Sequence, residues 1–278
     1  MLAKLQKLII HIKRYGIGRT LRKIIVTLVA RSGLVTDVET HRSDLSRRFD
    51  KHFNSTVAYG PLKGFRFCAD SWWSRIDRSA MIFGLYEQEV LQAIAAQKGR
   101  SDLFIDIGAA DGYYGVACVS QGIFKRSICF EISDIGQRVI AQTAQINHVA
   151  DRVAIHGIAD ADVLSHIPET DRNSATVLLD IEGAEFDFLT DQVLALFKSS
   201  VIFIELHEWN MPDPKAALQG LEDRVRKYFD ISVLTMGARD LSVFPELQNA
   251  PDLDRWVICM EGRATLQKWW KLTPLPGI

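Results

Sequence analysis

From Leu103 onward, short apolar runs alternate with stretches whose apolar residues recur every three or four positions. The runs predict strands at Leu103–Ile107, Ser127–Glu131, Arg152–His156, Thr176–Asp180 and Val201–Glu205. The periodic stretches predict helices near Tyr114–Gln121, Asp134–Ile146, Phe186–Phe197 and Lys215–Tyr228. Two more apolar runs, Ile231–Thr235 and Trp256–Met260, predict strands with no helix-length pattern between them. This order describes an α/β fold whose mostly parallel sheet ends in an antiparallel hairpin. The connection Met236–Arg255 is long for a hairpin, and loops of that length tend to be functional or mobile.

Upstream, Val90, Leu91, Ile94 and Ala95 form one face of a helix over Tyr86–Lys98, stopped by Gly99. Residues 37–60 mix charges of both signs and read as a linker helix. Tyr59-Gly60-Pro61 is turn chemistry, and Phe65-Arg66-Phe67 makes a short strand. Leu2, Leu5, Leu8, Ile9 and Ile12 recur at helical spacing with lysines between them. The chain thus divides into a basic helical extension (1–60), a cap or linker carrying Trp72 and Trp73 (61–85), and the main domain (86–278).

Composition changes this picture little. The chain is 47% hydrophobic and 24% charged, as expected of a soluble globular protein. Charge distribution says more. From Met1 to Thr36 there are eight basic residues and no acid. Residues 1–31 therefore suit either a peripheral contact with an anionic membrane or a helical extension packed on the domain. No run reaches the ~18 apolar residues of a spanning helix, and no signal-peptide core sits near the start. The four cysteines form no CxxC pair, and Cys129 and Cys259 lie in apolar runs. The expected compartment is the reducing cytoplasm. The main domain has no basic stripe, which argues against nucleic acid as a partner.

The chemistry centres on Leu103–Tyr113, a buried strand that ends in Asp106 and opens into a small-residue turn. Such strand–turn–helix junctions bind adenosine-containing cofactors. A dinucleotide turn would read Gly-x-Gly-x-x-Gly, but counting from Gly108 gives Gly108, Ala110 and Tyr113. Tyrosine is a poor third glycine. S-adenosylmethionine does not need that register. It needs a permissive turn, here Gly108, Ala109, Gly112 and Tyr113, and an acid for its ribose diol. Glu131 ends the second strand and can take both ribose hydroxyls. Ala159 and Asp160 follow the third strand, placed to meet adenine.

A second group of polar residues falls at the ends of the fourth and fifth strands: Asp180, Glu182, Glu185, Glu205, His207 and Glu208. In one reading His207 is a general base oriented by an acid such as Glu205, with Asp180 beside the transferring methyl. In another, Asp180, Glu205 and His207 hold magnesium. Glu182, Glu185, Glu208, Trp72 and Trp73 are candidates to contact the acceptor. Gly183 also has a plainer role in turning the strand into the helix, as His207 has in capping the turn before Trp209.

Phe104-Ile105-Asp106-Ile107-Gly108-Ala109-Ala110-Asp111-Gly112 and Leu178-Leu179-Asp180-Ile181-Glu182-Gly183-Ala184-Glu185 resemble the two signature segments of the FkbM family of class I S-adenosylmethionine-dependent methyltransferases. Glu205-Leu206-His207 also fits. The resemblance spans about Tyr86 to Met260. It implies a Rossmann-like methyltransferase fold, a seven-stranded sheet of order 3-2-1-4-5-7-6, and O-methylation of a sugar, glycan-precursor or natural-product hydroxyl. Ala110 departs from it, standing where many such enzymes keep another glycine. O-methylation of a small non-sugar metabolite, and a cofactor-binding protein without transfer activity, are the competing readings.

Overall fold

A computed structural model describes residues 37–263 and 265–277, together with 16–18, 20–22, 25 and 29. Most of the basic segment 1–31, with its expected membrane contact, lies outside the described residues. Seven strands form one sheet: β1 (Leu103–Ile107), β2 (Arg126–Phe130), β3 (Val153–His156), β4 (Thr176–Leu179), β5 (Val201–Leu206), β6 (Phe229–Thr235) and β7 (Lys268–Pro274). Their spatial order is β3-β2-β1-β4-β5-β7-β6. The strands β1 to β5 pair in parallel, and β7 runs antiparallel to both β5 and β6. This is the expected Rossmann-like methyltransferase topology, with helices covering the sheet.

Parallel strands buried on both faces read as continuous apolar runs. In β1 every residue is buried, yet the two sides face different cores. Leu103, Ile105 and Ile107 join Leu179, Phe186 and Leu221 on one face. Phe104 joins Val116, Cys129 and Ile140 on the other. Asp106 lies on that second side, an acid among hydrophobes.

The helix Val38–His52 packs on the domain. Leu45 and Phe49 share the core of Phe83, Phe104 and Val116. Polar contacts fix its pose: Ser46 Oγ donates to the Ile76 carbonyl at 2.7 Å, and Arg42 pairs with Asp77. Phe65-Arg66-Phe67 contributes only an isolated antiparallel bridge, Thr56 to Arg66.

Two expected elements are corrected. Trp256–Met260 is not the last strand; it falls in and just after the helix Asp252–Ile258. Pro251, then Asp252 and Asp254 in the first turn, favour a helix start. The true seventh strand lies further on at Lys268–Pro274, where Trp269 and Trp270 are both buried. The single helix Phe186–Phe197 is two, Glu185–Phe188 and Asp191–Leu196, because Thr190 caps the second by accepting from Val193 N. No helix of the described residues is long and apolar enough to cross a membrane.

Candidate active site

Between β1 and β4 the strand order reverses, and a crevice opens at their C-terminal ends, the usual ligand position in an open α/β sheet. The turn after β1 makes its floor. Gly108 has φ +92, and a Cβ there would lie 1.8 Å from the Asp180 carbonyl oxygen. Only glycine fits. The N–H groups of Gly108 and Ala109 donate to the Phe130 carbonyl at 3.0 and 2.9 Å, binding the turn to β2. Ala110 is also left-handed, at φ +47, a conformation that costs a non-glycine residue energy. Asp106 Oδ2 accepts from Gly115 N at 2.7 Å at the start of the next helix, and burial pushes its pKa up to about 7.

Glu131 sits immediately past β2 and is buried. Its Oε2 accepts from Ala110 N at 2.9 Å and its Oε1 from Ser133 N at 2.8 Å, so both oxygens are oriented by backbone. Each keeps a lone pair for a ligand hydroxyl. Beside it, Ile132 and Ile158 are 81% and 66% exposed, which is costly for aliphatic side chains unless something flat covers them. Asp160 does not line the crevice with Ala159. Its Oδ1 accepts from Val163 N at 2.8 Å and caps the helix Ala161–Ser165. Of this segment, Gly157, Ile158 and Ala159 line the crevice, and Asp160 does not.

Trp72 and Trp73 line the mouth. Both backbone N–H groups donate to Asp111 Oδ1, at 2.8 and 3.2 Å, and Ser71 Oγ donates to Oδ2. Asp111 thus straps the tryptophan segment to the β1 turn.

The residues after β4 and β5 do converge, but in two layers. Asp180, Glu182 and Asp187 line the crevice. Behind them lie Glu205, His207 and Glu185. Glu185, expected near the acceptor, is fully buried and holds the local backbone, accepting from His207 N at 2.7 Å and Gly183 N at 2.8 Å. His207 Nδ1 lies 3.3 Å from Glu185 Oε1 but lacks the alignment of a hydrogen bond. Its Nε2 faces Glu182, Asp180 and Glu205 at 3.6, 3.8 and 3.9 Å. Burial alone would lower the His207 pKa; the surrounding carboxylates outweigh it and raise it. Glu208 pairs with Lys268 at 3.3 Å and does not reach the crevice. Glu182 has φ +57, so this turn is strained beside Gly183 at φ +109.

Three contributors are not evident from sequence motifs. Arg263 bridges Glu87 and Glu205 and donates to Glu261 Oε2 at 2.9 Å. Tyr114 donates its hydroxyl to Glu87 Oε2 at 2.6 Å. Glu87 is buried on the crevice wall with φ +46. Burial, then the nearby Glu205 charge, pushes its pKa up to about 8. Burial likewise raises Asp180 to about 7, and burial with the Asp180 charge raises Glu205 well above the carboxylate range.

The crevice encloses about 610 Å3, within the range of small-molecule and cofactor sites. Two buried polar atoms on its wall have no hydrogen-bond partner, Asp180 Oδ1 and the Tyr113 hydroxyl. Such orphans are costly unless a ligand meets them. The Gly108 cradle, the aimed oxygens of Glu131 and the uncovered Ile132 and Ile158 fit an adenosine-type cofactor. Asp180, Glu205 and His207 form the one group of three or more histidine, cysteine or carboxylate side chains among the described residues whose ligand atoms lie within 4.8 Å of one another. There, Glu205 already spends one oxygen on Arg263.

No family model matches the chain, and no curated protein matches it. Solved structures similar to it include an uncharacterised protein from Listeria monocytogenes serotype 4b, at TM-score 0.45 and 12% identity over 66% of each chain. A tRNA methyltransferase from B. subtilis aligns at TM-score 0.42 and 8% identity, over 65% of this chain and 63% of that one. A ribosomal protein methylase from Lactobacillus delbrueckii subsp. bulgaricus aligns at 0.43 and 13%, over 76% and 84%. The chain spans about two thirds of the length of the first two.

Proposed function

We propose that this chain is an S-adenosylmethionine-dependent methyltransferase that O-methylates a hydroxyl of a sugar or glycan precursor. The observation that carries the cofactor is the junction of Gly108 and Glu131. There a turn closed against the Asp180 carbonyl presents a carboxylate already oriented for two vicinal hydroxyls. The resemblance to the FkbM family supports the hydroxyl acceptor, and so does Asp180 on the wall.

When bound, the cofactor supplies a sulfonium methyl that is already activated. The chain's work is therefore alignment and proton handling. Gly108 would let the backbone approach the methionine end, Glu131 would accept from the ribose diol, and Ile132 and Ile158 would cover the base. Asp180 is the group to receive the acceptor's proton: it faces the crevice, its Oδ1 is unpartnered, and a pKa of about 7 suits a base near neutrality. Glu205 and His207 stand behind it as positioning residues. A magnesium ion on Asp180, Glu205 and His207 is the second reading, favoured by the convergence of their ligand atoms. It would orient acceptor oxygens, and insensitivity of turnover to chelator would remove it.

Calorimetry with S-adenosylhomocysteine tests the cofactor. Micromolar binding that Glu131→Ala weakens at least tenfold supports it. Absence of binding to the intact chain refutes it.

A further inference from the structure

The charge of the chain changes sharply at Asp37. Met1 to Thr36 holds eight basic residues and no acid. Asp37 then caps the helix Val38–His52, accepting from Thr40 N at 2.9 Å, and the chain beyond mixes both signs. Within the basic stretch, every described position from 16 to 29 is helical. Ile17, Leu21 and Ile25 recur at intervals of four, the spacing of one row along a helix, over about 12 Å. They are 70%, 56% and 53% exposed. Thr20, set off from this row, is only 4% exposed, and its hydroxyl donates to the Gly16 carbonyl at 2.8 Å. The segment thus has a covered side, yet its large aliphatic side chains face outward.

A helical extension packed on the domain turns its apolar row inward. Here the row is out. Single exposed aliphatics are ordinary on a protein surface, but a row of three asks for a cover. The charge of the stretch narrows what that cover can be. A second copy of the chain brings the same cations to meet the first set. A nucleic acid uses the cations and leaves the row bare. An anionic bilayer uses both: the acyl boundary takes the aliphatic side chains, and headgroups of one sign face a segment with no acid to repel them. The segment also leads straight into the body of the protein. The helix Val38–His52 that follows it has Leu45 and Phe49 in the core and Arg42 paired with Asp77. A surface that binds the segment therefore holds the crevice-bearing domain close by.

We propose that the row Ile17, Leu21 and Ile25 docks on an anionic membrane surface, its side chains in the acyl boundary and the cations of the stretch, the exposed Arg22 among them, on the headgroups. Neither part suffices alone. A short aliphatic row partitions weakly, and surface charges are screened beyond ~8 Å at physiological salt. Binding therefore needs both and falls as salt rises. The inference stands apart from the methyltransferase reading and does not depend on it.

The test sediments the full chain with vesicles of phosphatidylcholine alone, or with about 30% phosphatidylserine. The expected result is binding at least tenfold stronger to the anionic vesicles, lost on raising salt from about 0.1 to about 1 M. The triple variant Ile17→Ser, Leu21→Ser, Ile25→Ser should bind at least tenfold more weakly. Because these side chains are exposed, it should melt within about 2 °C of the parent. Arg22→Glu with Lys23→Glu keeps the row, removes charge and should also lose at least tenfold. If the triple variant melts lower than expected, the charge variant and the salt series decide. Equal binding to both vesicle types, binding to neither, or parent-like binding by a folded variant overturns the proposal. So does a lipid-free dimer, seen by sedimentation velocity, that the triple variant dissolves, since the row then belongs to a second copy.

Discussion

Replacing Gly108 with alanine puts one methyl group where the structure has the least room. The added Cβ would lie 1.8 Å from the Asp180 carbonyl oxygen and 2.9 Å from its carbon. Neither is the end of a flexible side chain. The Asp180 N–H is also held by the Ile107 carbonyl at 3.0 Å, so this backbone cannot simply retreat. Left-handed backbone costs alanine about 1–2 kcal/mol. Overpacking in a closed site adds about 1–3 kcal/mol. A loss of about 2–5 kcal/mol corresponds to a fall in Tm of roughly 6–15 °C for a domain of this size. Any relief comes from pushing Asp180 away, which opens the floor of the crevice, so S-adenosylhomocysteine binding should vanish with the stability. Ala110→Gly, two residues along, is the control of opposite sign. At φ +47 it removes strain of about 1–2 kcal/mol and adds unfolded-chain entropy of about 0.5–1 kcal/mol, for a net gain between zero and about 1.5 kcal/mol. Scanning calorimetry and ligand titration on the two variants decide the matter. A Gly108→Ala protein that melts within 2 °C of the parent and binds the ligand equally well would refute the cradle.

Asp180→Asn should lower kcat at least a hundredfold with any acceptor that turns over. In the parent, the rate should rise with pH through about 7 as Asp180 ionises, and a pH–rate profile without that limb would count against it as the base. The same raised pKa gives stability the opposite slope. Its contribution is full below the unfolded carboxylate range near 4 and is lost as pH rises through about 7, so pH-dependent melting should show an acid-favoured term. Arg263→Met leaves Glu87 and Glu205 buried without their cation, while Glu261 keeps Arg239 at 3.6 Å; it should cost about 3–5 kcal/mol, read by denaturant titration, and adding Glu87→Gln should recover part of it. Asp111→Ala cuts the strap to Trp72 and Trp73 and should red-shift tryptophan emission with only about 1–2 kcal/mol of stability lost; an unchanged spectrum would show the segment is held by something else.

The parallel half of the sheet was legible because its strands are buried on both faces and read as unbroken apolar runs. The helix Asp134–Ile146 was legible to the residue from its periodicity, and the structure adds Ser133 as its cap. The antiparallel end was not. A run as short as Trp256–Met260 satisfies helix and strand patterns equally, and the deciding signal lay upstream at Pro251 and Asp252. In β7 the burial of Trp269 and Trp270 depends on β5 and β6 closing over both faces, a non-local fact. The site divides the same way. Gly108 and Glu131 act through their own strand ends, which a motif shows. Glu87 and Arg263 meet across 176 positions of sequence, and nothing local to either announces the partner. Glu185 and Asp160 carry the right residue type at the right place, yet backbone N–H groups claim them.

The insertion of β7 between β5 and β6 has a consequence for the order of assembly. A chain made from its N-terminus can pair β1 through β5 in turn, whereas β6 emerges with no strand to pair with. It must wait for residues 268–274. Arg263 precedes that strand by five residues, so Glu87 and Glu205 stay buried-in-waiting, without their counter-charge, until the last span is made. A product cut short before Lys268 would therefore lose more than an edge. It would expose β6, unseat β5 on one side and leave Glu87 and Glu205 without their cation, a species prone to aggregate rather than a shorter version of the same fold.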